Sequence, residues 1–187
     1  MNNANAAVGD AERLMAQMLM LARVDAASKE AAGDATCNLS EIARGVCEDF
    51  VLQLSTSNQG DIDLGFHSDG DLLIRGEQTL VQEVIRNLID NAVKHGGKNL
   101  KIDVSVERER GFGAVSVQDN GVGMRRGEQS QTRELLKVSA GKSTHNSGIG
   151  LTIVQEILNL LSGRIEFGNG AEGRGTKARV FLQLAEV

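Results

Sequence analysis

The sequence has 187 residues, which suits one domain of ordinary size or one domain with a short appendage. Hydrophobic residues make up 41% of the chain and charged residues 24%, so a core can be buried and disorder is not expected. The net charge of −5 argues against a general nucleic-acid binder, and the lack of Tyr and Trp leaves few surfaces on which bases could stack. No apolar run approaches the roughly 20 residues of a membrane-spanning helix.

The two cysteines, Cys37 and Cys47, are too few for a disulfide framework and are poorly spaced for a zinc site. No charged and then apolar leader opens the chain. Together these features favour a cytoplasmic setting in which both thiols stay reduced.

The first periodic segment runs from Asp10 to about Lys29, after a small and polar start that we expect to fray. Its stripe of Met, Leu and Ala fits equally a helix packed on its own domain and half of an oligomerisation helix. Residues 30–38 are predicted to be a linker broken at Gly33. A second amphipathic helix follows, for which Ser40 is the predicted N-cap.

The rest of the chain mixes helices and strands without strict alternation. The first predicted elements are strands at 61–67 and 71–75 and a helix at 77–95. Two strands follow, one that begins at Leu100 and one that ends at Asp119. A long glycine-rich loop at 121–147, a helix from Ile149 to about 162, and strands at 164–168 and 176–184 complete the chain. This order predicts an α/β or α+β two-layer sandwich, with a mixed sheet of about five strands packed on about three helices.

The helix from Val81 to His95 carries a polar stripe beside its apolar one. Glu83, Asn87, Asn91 and Lys94 recur on one face at the helical period. Asn is a poor helix former because its amide competes for backbone hydrogen bonds, so two Asn one turn apart need a reason. Their amide oxygens could hold a hydrated Mg²⁺ and the lysine could pair with a phosphate; the alternative is a solvated face that tolerates Asn.

Two glycine-containing segments add to this stripe. Asp119 to Gly123 (DNGVG) ends a predicted strand, where a carboxylate could accept a hydrogen bond from the amine of adenine and glycines admit a flat ligand. Gly148 to Leu151 (GIGL) opens a predicted helix, whose free N–H groups could face phosphates. Taken singly, the first fits an ordinary Asn-Gly turn and the second an ordinary helix start.

A third segment, Gly173 to Thr176 (GRGT), is by itself a modest turn signal. Two other nucleotide motifs can be excluded. Gly141-Lys142-Ser143 is not a P-loop because Leu136 stands where that motif needs its first glycine, and Gly148 to Leu151 lacks the third glycine of a dinucleotide fingerprint.

The four segments in this order resemble the ATP-binding catalytic domain of sensor histidine kinases, in the group that includes Hsp90-type ATPases, type II topoisomerases and MutL. Residues 87–94 (NLIDNAVK) look like the N box, and the three glycine segments look like the G boxes; the match covers about residues 36–185. Residues 19–25 (LMLARVD) also resemble the second helix of the kinases' dimerisation hairpin, which favours oligomerisation for the N-terminal helix. The resemblance therefore implies a remnant of that hairpin at 1–32 and a catalytic domain at 33–187.

The resemblance also implies roles for individual residues. Asn91 would be the main Mg²⁺ ligand with Asn87 beside it. Glu83 also lies four residues before an Asn, which would allow a shifted register, but Ala92 and Lys94 match the family pattern after Asn91 and fix it as the metal position. Lys94 would touch phosphate. Asn87, Asn91 and Lys94 would together form the catalytic set. His95 would lie against the adenine.

The remaining implied contacts concern the glycine boxes and the predicted lid at 124–147. Asp119 would bind the adenine amine. The other expected nucleotide-binding residues are Gly121, Gly123, Lys142, Gly148, Gly150, Leu151 and Thr176. The cofactors expected on this basis are ATP and Mg²⁺.

The sequence departs from the family pattern at several points. It has no Pro, and His67, His95 and His145 all lack the context of the phosphoacceptor box, so the acceptor histidine is expected on a separate dimerisation domain. The lid lacks the usual Phe-rich box, and Asn146 replaces a customary glycine. The ATPases of the group carry Glu as a base where this chain has Asn87, which favours holding ATP for transfer over hydrolysing it.

The resemblance thus implies a protein-histidine kinase domain from a larger sensor of the inner membrane. Its expected partners are the acceptor histidine and a response-regulator receiver domain, with no nucleic acid, and the resemblance also allows a second copy of the chain as a partner. Two alternatives stay open at this point: an ATPase of the Hsp90 or MutL type, and a non-catalytic interaction module with the same fold.

Overall fold

The computed structural model describes residues 35–56, 62–123 and 149–185. The helix predicted over Asp10–Lys29, the lid predicted over 124–147, and two predicted site residues, Lys142 and Gly148, lie outside these ranges. Within the described ranges, no helix is both long and apolar enough to cross a membrane.

Strands and helices follow one another nearly as the sequence predicts. The strands are β1 (Thr36–Asn38), β2 (Ile62–Ser68), β3 (Leu73–Arg75), β4 (Leu100–Glu109), β5 (Phe112–Asp119), β6 (Arg164–Asn169) and β7 (Thr176–Gln183). The helices are α1 (Leu39–Thr56), α2 (Gln78–His95) and α3 (Ile149–Leu160), and a short 3₁₀ turn spans Ala171–Gly173.

The main sheet has five strands in the order β2-β4-β5-β7-β6. β2 pairs with β4 in parallel, and the other neighbours are antiparallel, so the sheet is mixed. β1 and β3 form a separate two-stranded antiparallel sheet. β5 is the central strand of the main sheet. Its last residue, Asp119, therefore lies midway along the side of the sheet where this strand ends. The predicted α+β sandwich is confirmed.

One hydrophobic core joins the helices to the sheet. Alternate residues of β4 and β5 face it because successive side chains of a strand point to opposite faces. α2 packs against both α1 and α3 and contributes its whole apolar stripe. The buried members of that stripe are Leu80, Val81, Val84, Ile85, Leu88, Ile89 and Ala92. This packing fixes the rotation of α2, and with it the direction of the polar stripe.

Two local predictions are wrong at the start of the domain. The predicted linker contains strand β1, which exists because it pairs with β3, a partner more than 30 residues away that local pattern does not reveal. Helix α1 is capped by Asn38, whose Oδ1 accepts hydrogen bonds from the N–H groups of Ser40 and Glu41 at 3.1 and 3.4 Å. The hydroxyl of Ser40, the predicted cap, instead donates to the carbonyl oxygen of Gly70 at 2.6 Å.

The face of the sheet away from the core is covered by its own side chains. Phe181 is only 2% exposed although its neighbours Val180 and Leu182 face the core. The guanidinium carbon of Arg164 lies 4.0 Å from the Phe181 ring centroid, and Arg179 bonds to carboxylates on β4. These contacts are cation–π and ionic, and they shield the Phe181 ring from water on the face away from the core.

The two thiols give the domain a predictable sensitivity to alkali. Burial, with a smaller contribution from Glu77, raises the pKa of Cys37 from 9.0 to about 11, and burial with Glu48 does the same for Cys47. Between these values the unfolded chain loses thiol protons that the folded chain keeps, so the free energy of unfolding falls as pH rises from about 9 to about 11. A variant with both cysteines changed to Ala should show a flatter decline in denaturant titrations over that range. An identical decline in both proteins would contradict the assignment.

Candidate nucleotide-binding site

Asn87 is the most buried polar residue of the α2 stripe, with 3% of its surface exposed. Its Nδ2 donates to the backbone oxygen of Glu83 at 2.9 Å and to Glu83 Oε1 at 2.8 Å. Its Oδ1 points towards the start of α3, because a Cβ on Gly150 would lie only 2.7 Å from that oxygen. The absence of a side chain at position 150 therefore lets the first turn of α3 lie directly against Asn87.

The other predicted residues of α2 lie further along the helix. Asn91 is half-buried, one turn after Asn87 on the same face, and its side chain has no hydrogen-bond partner among the described residues. Lys94 and His95 are exposed in the last turn, where positive charge complements the negative end of the helix dipole. The helix ends at Gly96, whose N–H bonds to the carbonyl oxygen of Ala92.

Asp119 is half-buried at the end of β5 and binds two backbone groups with one oxygen. Its Oδ1 accepts from the N–H of Gly121 at 2.8 Å and from the N–H of Thr176 at 3.2 Å. The structure thus brings Asp119 together with two of the other predicted site residues. Oδ2 has no hydrogen-bond partner among the described residues, so it is available to a donor on a ligand.

Glycines allow the chain ends around Asp119 to approach each other closely. A Cβ on Gly121 would lie 2.6 Å from Gly96 Cα, so the turn after β5 lies against the end of α2. Gly123 and Gly175 both have a φ of +70°, and a Cβ on Gly123 would lie 3.0 Å from the carbonyl oxygen of Gly175. The site therefore forms where α2, β5 and the segment before β7 meet.

Asn120, between Asp119 and Gly121, stabilises the turn through two hydrogen bonds to the backbone. Its Oδ1 accepts from the N–H of Lys101 at 2.8 Å, and its Nδ2 donates to the carbonyl oxygen of Asn99 at 3.3 Å. The side chain ties the turn to the start of β4, which holds Asp119 at the sheet edge.

Most of these residues were predicted from the sequence, but several of their contacts were not. The roles of Gly96 and Gly175 in close packing were not predicted, although the Gly-Gly pair after α2 and the Gly-x-Gly before β7 signal special backbone positions. The bond from Asn87 to Glu83 was not predicted either. Leu151 packs its side chain against the hydrophobic core, so a nucleotide contact from this residue would have to come from its backbone.

The oxygen atoms along α2 are too few to hold a metal by themselves, so they suit a metal that also binds phosphate oxygens and water. Among the described residues no three His, Cys, Asp or Glu side chains cluster as a metal site. The candidates are neutral amide oxygens, Oδ1 of Asn87 and the amide of Asn91. Mg²⁺ commonly takes one or two protein oxygens and completes its shell with phosphate oxygens and water. The residues therefore fit Mg²⁺ bound together with a nucleotide.

Comparison with known proteins then decides the family. Residues 76–186 match the family model described as histidine kinase-, DNA gyrase B-, and HSP90-like ATPase. The chain belongs to this family. The matched range contains every predicted site residue, and the predicted resemblance is confirmed.

Relatives within this ATPase family are sensor kinases. Sensor protein kinase PmrB of Pseudomonas aeruginosa is 31% identical over 176 residues, which cover 90% of this chain and 35% of PmrB. Sensor protein QseC of Escherichia coli K12 is 32% identical over 177 residues, which cover 91% of this chain and 36% of QseC. The chain thus spans about a third of the length of the curated relatives it matches.

Solved structures give the same result. The nucleotide-free catalytic domain of histidine kinase ThkA aligns with a TM-score of 0.66 at 25% identity, over 80% of this chain and 95% of that domain. The cytoplasmic segment of histidine kinase QseC aligns with a TM-score of 0.60 at 26% identity, over 96% of this chain and 91% of that segment. The chain is an ATP-binding catalytic domain of the sensor histidine kinase type, as predicted.

The contact between α3 and Asn87 can be tested by adding one methyl group. In Gly150→Ala the new Cβ would meet Asn87 Oδ1 at 2.7 Å, so either the Asn87 amide or the start of α3 must shift from its place in the site. We expect at least a fivefold loss of ATP affinity, measured with a fluorescent ATP analogue. Gly45→Ala is the matched control, because Gly45 also lies in a helix and a Cβ there meets nothing within 4 Å. It should keep wild-type affinity and gain up to about 1 kcal/mol of stability. Equal affinities in the two variants would contradict the contact.

Proposed function

We propose that this domain binds Mg²⁺-ATP and presents the γ-phosphate to a histidine of a dimerisation domain. The single observation that carries the proposal is that Oδ1 of Asp119 is held by Gly121 and Thr176 while Oδ2 has no hydrogen-bond partner among the described residues. A carboxylate oxygen with open lone pairs at a half-buried position is a suitable acceptor for the amine of adenine.

The phosphates would extend from the adenine towards α2 and α3. Asn91 would be the main Mg²⁺ ligand and Asn87 Oδ1 would lie beside it, while Lys94 would pair with a phosphate and His95 would lie near the adenine. Gly123, Gly148 and Gly150 would let backbone N–H groups reach the nucleotide, and Lys142 would approach it from the predicted lid. When bound, Mg²⁺ supplies positive charge that neutralises the phosphate oxygens during transfer.

The proposed reaction is phosphoryl transfer. An imidazole nitrogen of the acceptor histidine attacks the γ-phosphorus as the bond from that phosphorus to the β,γ-bridging oxygen breaks, and ADP leaves. Asn87 has no carboxylate with which to deprotonate water, which favours transfer over steady hydrolysis. The same residue argues against the ATPase alternative. The Asp119 Oδ2, unpartnered within the part of the chain that the structure describes, argues against a module that binds no nucleotide.

We further propose that the domain works within a larger sensor. Its relatives are named sensor kinases, and the chain aligns over most of its length with the cytoplasmic segment of QseC. That alignment supports a dimerisation-type helix within residues 1–32 before a catalytic domain at 33–187. The proposed partners are the dimerisation domain with its acceptor histidine, a response-regulator receiver domain and a second copy of the chain, at the cytoplasmic side of the inner membrane.

The adenine contact can be tested with Asp119→Asn. An Asn side chain can keep both backbone hydrogen bonds through its oxygen, but it then presents an NH₂ donor to the donor amine of adenine. We expect at least a tenfold loss of affinity for a fluorescent ATP analogue, with thermal unfolding little changed. Because the chain has no Trp or Tyr, the label must be on the nucleotide.

The matched control is Asp103→Asn, which removes the same charge from an exposed position on β4. It should bind the analogue as the wild type does. Failure of the folded wild type to bind at millimolar nucleotide would exclude the proposed function, and equal binding by Asp119→Asn would exclude the role of Asp119.

A further inference from the structure

Glu83 determines which end of the Asn87 amide faces the candidate site. The amide nitrogen has two hydrogens, and the structure gives it two acceptors, the backbone oxygen and the Oε1 of Glu83. Both acceptors lie on the same side, one turn earlier in α2. The nitrogen is therefore fully used, and only Oδ1 remains for the side that faces Gly150.

The reverse orientation is disfavoured electrostatically. A flipped amide would place Oδ1 against a carbonyl oxygen and a carboxylate, so three oxygens with negative partial or full charge would face each other. It would also point the NH₂ group, a donor with positive partial charge, towards the start of α3. Because Asn87 is 3% exposed, water is poorly placed to relieve either contact.

We propose that Glu83 is a positioning residue that commits the Asn87 oxygen to the metal and phosphate side of the site. The inference rests on the proposed function, since it gives Asn87 Oδ1 a place beside Mg²⁺. Glu83 acts only through Asn87 and needs no contact with nucleotide. The bond with the carboxylate is the part that depends on residue type, because the backbone oxygen would be present with any residue at position 83.

The outcome would differ if the bond between Glu83 and Asn87 had only a stabilising role. If the bond only stabilises α2, removing the carboxylate lowers stability and leaves the effect of Mg²⁺ on ATP binding unchanged. If the bond orients the amide, its removal lowers Mg²⁺-dependent affinity in particular, because a rotated amide presents NH₂ to the cation. Binding measured without Mg²⁺ should change little in either case.

The variants to compare are Glu83→Ala and Glu83→Gln. Ala removes the side-chain acceptor, whereas Gln keeps a carbonyl oxygen that can accept the same bond. Glu83→Met also removes the acceptor while keeping a long stem, and it serves if the Ala variant does not fold. Glu48→Ala is the matched control, because it removes one carboxylate from an exposed position on α1.

ATP affinity is measured for each folded variant with and without Mg²⁺. We expect Glu83→Ala to weaken the Mg²⁺-dependent affinity about five- to tenfold, the size of effect usual for one intramolecular hydrogen bond. Glu83→Gln should restore most of it and Glu48→Ala should match the wild type. An Ala variant with wild-type Mg²⁺ dependence, or a Gln variant as weak as Ala, would overturn the inference.

A second readout needs neither nucleotide nor metal. In the free protein, NMR hydrogen exchange of the Asn87 side-chain NH₂ should be slow in the wild type and in Glu83→Gln, and clearly faster in Glu83→Ala. Unchanged exchange in Glu83→Ala would overturn the inference even if ATP binds. A wild type with no Mg²⁺-dependent binding but with the expected exchange pattern would instead reject the proposed function, and the role given to Glu83 at the metal would be rejected with it.

Discussion

The site depends on one oxygen of Asp119 that accepts two hydrogen bonds. Oδ1 accepts from Gly121 in its own turn and from Thr176 at the start of β7, which joins the central strand to its neighbour at the sheet edge. This geometry leaves no room for a larger residue at two nearby glycines. A side chain on Gly121 would clash with Gly96, and one on Gly175 would clash with Asp119 itself. Fixing Oδ1 in this way orients Oδ2, which has no partner within residues 35–56, 62–123 and 149–185 and can accept a hydrogen bond from a ligand amine.

The sequence predicted those parts of the fold that periodicity and local turn chemistry determine. The polar stripe of α2 was visible because two Asn in mid-helix are costly, and the DNGVG segment was visible because its glycines follow a strand directly. Strand β1, the Asn38 cap and the contact of Gly175 with Asp119 were not visible. Strand β1 depends on a partner more than 30 residues away and the Gly175 contact on an exact backbone approach, and the composition of a local window carries neither. The Asn38 cap is local, since its partners in α1 are Ser40 and Glu41, but Ser40 is an equally suitable cap by residue type.

Asn87 connects the fold to the choice between transfer and hydrolysis. It is buried, its nitrogen is bound within α2, and its oxygen meets the start of α3, so this side chain also sets the distance between two helices. A carboxylate at the same position would lie beside Glu83, and the two like charges would repel each other in a poorly hydrated place. The surroundings of Asn87 thus suit a neutral amide better than a general base, and this agrees with relatives that are sensor kinases.

Phosphoryl transfer and hydrolysis leave the γ-phosphate in different places, and we expect this domain to hold ATP for transfer to histidine. The most direct measurement incubates the protein with Mg²⁺ and ATP labelled at the γ-phosphate, together with a separate dimerisation domain that carries an acceptor histidine, such as that of QseC. We expect label on the added domain, in a form that acid removes and alkali does not, with little free phosphate. Steady release of labelled phosphate with none on the added domain would contradict it and would favour an ATPase.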